Sequence, residues 1–210
     1  MRRIDSLFTK LLHWIAAYPA AYNLIQRVLG VREGHRRMRP HLARAAGCTV
    51  LEVGAGTGGW AEILPPTARY LWLDNDPRKL SGFRARGTRA WAVLGDAARL
   101  CLRDKSVEWT LCIALSHHLT DDEFRKLLRS VATVSRRGII FGDGLRTEGR
   151  MISRLAWKYD RGANPRTLEA LRPCIEEFFD IEVEEQYTYL HTYWICQAKP
   201  RACALYNSAA

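Results

Sequence analysis

The apolar and polar positions of the chain fall into segments of two periods. Between residues 48 and 143, short apolar runs alternate with stretches in which apolar positions recur every three to four residues. The runs 49–53, 70–73, 89–94, 109–115 and 138–141 read as strands. The fourth, Trp109 to Leu115, is continuously apolar, as a strand covered on both faces is. Helical periods occupy 78–86 and 121–134, with Thr120 in the N-cap position of the second. A further helical stretch, ending at Leu64, is expected after the glycine-rich segment that follows the first strand. Strands alternating with helices predict a parallel sheet with right-handed crossovers.

The flanks differ. Residues 4–29 carry Ile4, Leu7, Phe8, Leu11, Leu12 and Ile15 at helical spacing, and Pro19 divides them into two helices. Such a stripe fits a helix covering a core or pocket, with contact to a membrane surface as the alternative. Residues 31–47 are basic (Arg32, Arg36, Arg37, Arg39, Arg44) and read as a helix leading to the first strand. Beyond residue 144 the pattern gives a basic amphipathic helix over 150–159, a turn-rich loop over 161–167 and a helix over 167–178. Two strands, 181–189 and 191–198, then form a hairpin. The predicted fold is therefore an α/β, Rossmann-like three-layer sandwich. Its mostly parallel seven-stranded sheet ends in an antiparallel hairpin and is capped by N-terminal helices. The boundaries are a cap at 1–47, a main domain at 48–200 with a substrate-side insertion at 144–168, and a flexible tail at 201–210.

Composition narrows the class. The 210 residues suit one domain with a full core, and 48% hydrophobic with 26% charged residues excludes a disordered or collagen-like chain. Net charge is +10, and 26 of the 32 basic residues are arginine. That excess suggests an anionic partner or a compositional bias. The six cysteines form no C-x-x-C pair, so no zinc or thioredoxin motif is signalled, and a reduced cytoplasm is the expected compartment. Asp5, Lys10 and His13 interrupt the first apolar run, which argues against a signal peptide, and no run of 18 apolar residues forms a membrane span.

The chemistry concentrates after the strands. Val50-Leu51-Glu52-Val53-Gly54-Ala55-Gly56-Thr57-Gly58 runs from a strand into a glycine turn, where backbone can approach a ligand closely. Gly54, Gly56 and Gly59 also satisfy G-x-G-x-x-G, so a nicotinamide dinucleotide and S-adenosylmethionine both compete for the turn. Asp74, 20 positions past Gly54, can accept both ribose hydroxyls under either reading. Three features favour the second. Glu52 stands where dinucleotide sites usually have an apolar residue, and can face a cationic amino group. Gly95-Asp96-Ala97 follows the third strand, and Ser116-His117-His118-Leu119 follows the fourth.

On these residues the chain resembles the class I S-adenosylmethionine-dependent methyltransferases, most closely the small-molecule branch of the ubiquinone/menaquinone-biosynthesis type. The resemblance covers residues 48–143, and more loosely extends to 199. One departure is Ser135-Arg136-Arg137-Gly138, where the family often has a Pro-Gly-Gly turn. The resemblance implies that Glu52, Gly54, Ala55, Gly56 and Gly58 hold the methionine part of the cofactor. It likewise implies that Asp74 and Asn75 bind the ribose, that Asp96 and Ala97 bind adenine, and that Ser116 and His117 line the methyl group's pocket. The reaction is then in-line methyl transfer to oxygen, nitrogen or carbon, with His117 and His118 as candidate bases.

The acceptor pocket is expected to form from Trp14, Tyr18, Tyr22, His117 and Trp157, with Tyr159 nearby, which suits an aromatic, lipid-like or acidic small molecule. Arg146, Arg150, Arg154, Arg161 and Arg166 crowd the same segment as an anion site or a solvated face. Tyr187, Tyr189, His191 and Tyr193 are assigned to the final hairpin. No metal is called for, and a monomer or homodimer is expected. An RNA methyltransferase is the alternative that the charge suggests, although no aromatic-interleaved basic cluster supports it. A cyclase or scaffold on the same fold is the other alternative. An oxidoreductase is disfavoured because no Tyr-x-x-x-Lys occurs.

Overall fold

The computed structural model describes residues 31–87, 90–149, 151–159, 162 and 164–202. The expected helices of 4–29, with Trp14, Tyr18 and Tyr22, lie outside the described residues, as do Arg150, Arg161 and the tail from Cys203. The described chain begins with α1 (Val31–Leu42), whose first-turn Glu33 pairs with Arg36 at 2.5 Å and Arg37 at 2.9 Å, one turn on. Strands and helices then follow as β1 (Thr49–Val53), β2 (Arg69–Asp74), α2 (Pro77–Arg84), β3 (Trp91–Leu94), β4 (Val107–Ile113), α3 (Asp121–Val134) and β5 (Ser135–Leu145). The last are α4 (Met151–Tyr159), α5 (Leu168–Glu176), β6 (Phe179–Thr188) and β7 (Thr192–Pro200).

Among the described residues the strands form one seven-stranded sheet in the order β3-β2-β1-β4-β5-β7-β6. The first five are parallel, and β7 runs antiparallel to both β5 and β6. Helices cover both faces because the strands alternate their side chains. Leu51 and Val53 point to one layer, where Phe124, Leu127, Leu128 and Val131 of α3 and Leu171 and Ile175 of α5 meet them. Val50, Trp109, Leu111 and Ile140 point to the other, under Met38 and Leu42 of α1. The chain reverses its winding between β1 and β4, so a crevice opens beyond the carboxyl ends of these two strands.

Three expectations need correction. The segment after the glycine turn is not an α-helix but a 3₁₀ stretch, Gly59–Ile63, and the paired prolines Pro65 and Pro66 prevent its extension. Strand β5 is far longer than residues 138–141, because pairing with β7 carries it through Asp143↔Trp194 to Leu145↔Thr192. Arg201, assigned to a flexible tail, is tied down: its backbone N–H donates to the Phe178 carbonyl at 2.9 Å and its guanidinium to Asp180 at 2.7 Å.

At the start of β5, Gly138 has φ +146°, and a Cβ there would lie 1.9 Å from the Ala198 carbonyl oxygen of β7. Backbone on a central strand cannot yield as a side-chain end can. Gly138→Ala is therefore expected to destabilise the fold by about 3 kcal/mol or more, read as a lowered urea midpoint; an unchanged midpoint would refute this packing.

Candidate active site

Four of the parallel strands deliver their chain reversals to one end of the sheet. At the end of β1, Gly54, Gly56 and Gly58 all take positive φ, +64°, +53° and +74°. The turn is pinned from β2. The Asp74 carboxylate accepts from the Gly56 N–H at 2.8 Å and, with its other oxygen, from the Asp76 N–H at 2.9 Å. The indole of Trp72 donates to the Gly56 carbonyl at 2.9 Å, and the Ala55 N–H donates to the Leu73 carbonyl at 3.0 Å. Gly58 is held against α2: a Cβ on it would stand 2.4 Å from the Phe83 ring, which itself stacks on Trp72 at 5.6 Å. The turn is thus a closed backbone cradle, and any side chain at Gly58 would have to displace a buried aromatic.

Glu52, two residues before the turn on β1, is 2% exposed, and its carboxyl accepts from the Tyr70 hydroxyl. Burial raises its pKa to about 8, against a smaller lowering by the Tyr70 hydrogen bond. It is accordingly a neutral acid near pH 7, buried against Tyr70 rather than standing open in the crevice. Such a group is primed to ionise when a cation approaches.

After β3, Asp96 is exposed and accepts from the Ala98 N–H at 2.9 Å, closing a short turn beside Ala97. Asn75 follows Asp74 in the turn that leads into α2. Both therefore sit on the same rim of the sheet as the glycine turn.

After β4 comes a one-turn 3₁₀ segment, Ser116–His118. Its anchor was not anticipated from sequence. Asp143, 3% exposed within β5, accepts from the Ser116 hydroxyl at 2.5 Å, faces His117 Nδ1 at 2.7 Å and accepts from the Gly144 N–H at 2.8 Å. Burial alone would raise the Asp143 pKa. The charge and hydrogen bond of His117 and the donations from Ser116 and Gly144 overcome it and hold the carboxyl below its ordinary value. The arrangement favours the His117 tautomer with its proton on Nδ1, which makes Nε2 the basic nitrogen. The only signal for it in sequence was an acid flanked by glycines inside an apolar strand, Phe141-Gly142-Asp143-Gly144-Leu145.

The acceptor-side candidates divide. Trp157 of α4 lies edge-on to His117 with ring centres 5.3 Å apart, and rests over Gly144. His118 is exposed, its ring 4.2 Å from that of His117. Trp14, Tyr18, Tyr22 and the Tyr159 side chain are outside the described residues. His191, assigned from sequence to the hairpin alone, also belongs here: it packs on Trp157 at 4.5 Å and bonds Ser153 of α4 at 2.8 Å. Arg166 is neither a solvated residue nor an open anion site. It is 8% exposed and its guanidinium donates to the carbonyls of Ser116 at 2.6 Å and Leu119 at 2.8 Å and to Asp121 at 2.7 Å. It fastens the His117 segment from behind.

With this geometry in view, the comparisons with known proteins become informative. A family model described as a methyltransferase domain matches residues 50–138. The matched stretch runs from β1 into the start of β5. S-adenosylmethionine is the cofactor expected from the sequence motifs. No curated protein matches by sequence. Among solved structures, the magnesium protoporphyrin IX methyltransferase of Synechocystis PCC 6803, with bound S-adenosylhomocysteine, is similar at a TM-score of 0.69 and 14% identity, over 84% of this chain and 87% of that one. The PH0226 protein of Pyrococcus horikoshii OT3 is similar at 0.68 and 16% identity, over 81% and 91%. The [4+2]-cyclase SpnF is similar at 0.62 and 16% identity, over 78% and 80%. These likenesses are to the fold. No helix among the described residues is long and apolar enough to cross a membrane, and no group of metal-binding side chains occurs among them.

The site residues fit the cofactor on two observations. Glu52 offers a buried, neutral carboxyl that a cationic amino group would ionise, and the Asp74 carboxylate stands at the crevice edge with backbone donors already aligned.

Two outcomes follow. Asp74→Ala frees Gly56 and is expected to weaken S-adenosylhomocysteine binding at least about tenfold while the fold is retained; unchanged affinity in calorimetric titration would contradict the pinning. Glu52 has a folded pKa above its unfolded value, so the folded state holds the extra proton. Stability should fall as pH rises from about 4.5 towards about 8. Glu52→Gln should flatten that slope in denaturation curves at several pH values, and an equal slope would disprove the burial effect.

Proposed function

We propose that the protein transfers the methyl group of S-adenosylmethionine to a small-molecule acceptor, with His117 as general base and Asp143 as the residue that positions it. The carrying observation is the buried His117–Asp143 pair at 2.7 Å, on the rim that also bears the glycine turn. The bound cofactor supplies a methyl group already activated on a sulfonium, so the chain's own residues have mainly to align, enclose and move one proton.

In this reading Glu52 ionises and, with the backbone of Gly54, Ala55, Gly56 and Gly58, meets the amino-acid end of the cofactor. Asp74 and Asn75 take the ribose hydroxyls, and Asp96 and Ala97 take the adenine. Ser116 is committed to Asp143 through its hydroxyl and shapes the pocket wall. His117 Nε2 accepts the proton of an acceptor O–H or N–H as the acceptor's lone pair forms its bond to carbon and the carbon–sulfur bond breaks. Asp143 stabilises the resulting imidazolium without taking its proton. Trp157 and His191 offer aromatic surface beside His117, which favours a flat or ring-bearing acceptor, with Trp14, Tyr18 and Tyr22 proposed to complete the pocket. His118, exposed beside His117, is the second candidate base. Acceptor recognition at 144–168 and the ubiquinone-type branch belong to the same proposal.

The SpnF likeness keeps a cyclase on this fold in view, and release of S-adenosylhomocysteine separates the two: a cyclase or scaffold releases none. Asp143→Asn keeps the shape and reverses the tautomer preference. With phenolic and amine acceptors in an S-adenosylhomocysteine-release assay, it is expected to lower kcat about 100-fold or more with cofactor affinity unchanged. A variant as active as the parent would remove His117 and Asp143 from the chemistry.

A further inference from the structure

The far end of the sheet from the glycine turn carries a groove of about 480 Å³ between the starts of β4 and β5 and the end of β7. Arg136 and Arg137 at the head of β5, Lys199 on β7 and Arg44 ahead of β1 supply its cations. Trp109 and Pro200 supply its apolar surface. The two arginines stand where the family that the sequence resembles often has a Pro-Gly-Gly turn, a departure that methyl transfer does not explain.

The charges here are not balanced internally. Glu182 is shared between Arg44 at 3.6 Å and Lys199, and Glu108 between Arg136 at 3.2 Å and Arg69 at 3.9 Å. Two carboxylates thus face five cations, and Arg137 has neither a hydrogen bond nor an ion pair among the described residues. Trp109 is 3% exposed, and its indole N–H has no acceptor among the described residues. A strand that starts with two adjacent arginines would ordinarily send them to opposite faces. Here both border one concavity, beside an aromatic ring.

We infer that this groove binds a phosphate-bearing small molecule, its phosphate on Arg137 and Arg136 and its apolar part against Pro200 and the small part of Trp109 that reaches the groove. Arginine's planar fork suits phosphate, and the free guanidinium of Arg137 loses no internal partner by engaging it. The site lies at the opposite end of the strands from the cofactor crevice, so the two can be filled together.

Calorimetric titration of the full chain with phenyl phosphate and with phenol tests this. Phenyl phosphate should bind saturably, phenol should not, and Arg137→Gln should weaken phenyl phosphate about tenfold with S-adenosylhomocysteine affinity unchanged. Arg137 has no hydrogen bond or ion pair among the described residues, so the variant should keep the parent's thermal midpoint. Absence of phenyl phosphate binding, equal binding by Arg137→Gln, or equal binding of phenol would overturn the inference. So would co-sedimentation with phosphatidylglycerol vesicles without phenyl phosphate binding, which would make the surface a lipid contact.

Discussion

The structure depends on the attachment of the glycine turn to the neighbouring strand. A loop with three positive-φ residues has no conformational preference strong enough to hold a ligand-ready shape by itself. Here β2 holds it, through a carboxylate on one peptide N–H, an indole on the carbonyl of the same residue, and a main-chain bond from Leu73. The register Glu52↔Trp72 and Val53↔Leu73 sets all three contacts at once. A slip of one residue would turn Trp72 and Tyr70 to the other face and leave Glu52 buried without its hydroxyl partner.

The second fixed point is Asp143. It joins strand β5 to the segment after β4, and Arg166 holds that segment from the opposite side. The two centres lie at the same end of the sheet, on either side of the reversal in strand order, where an α/β sheet opens to ligands. One fixes backbone donors and carboxylates for a nucleoside cofactor, and the other fixes an imidazole. The proposed chemistry needs both in one crevice, because an activated methyl group requires alignment more than any further activation.

Much of this was legible in the residues. The existence and order of the strands, the Thr120 cap and the terminal hairpin follow from periodicity, and the glycine turn with Glu52 and Asp74 follows from spacing. The Asp143 role did not, because an acid in a strand is uninformative until its partner across the sheet is known. In sequence Arg166 is one of five arginines that fit an anion site or a solvated face alike, whereas its burial depends on carbonyls some 50 residues away in the chain. The glycine turn suggested a full helix after it, but Pro65 and Pro66 leave room for five residues of 3₁₀ structure. His191 looked like hairpin composition, and only the packing of α4 against the hairpin brings it to Trp157.

The account is tested most directly by following backbone amide shifts while S-adenosylhomocysteine is titrated into the isotopically labelled protein. The account predicts saturable changes at Gly54–Gly58, Asp74–Asp76, Asp96–Ala98 and Ser116–His118, with Arg136 and Arg137 undisturbed. Saturable changes confined to other parts of the sheet, or none at millimolar ligand, would contradict it.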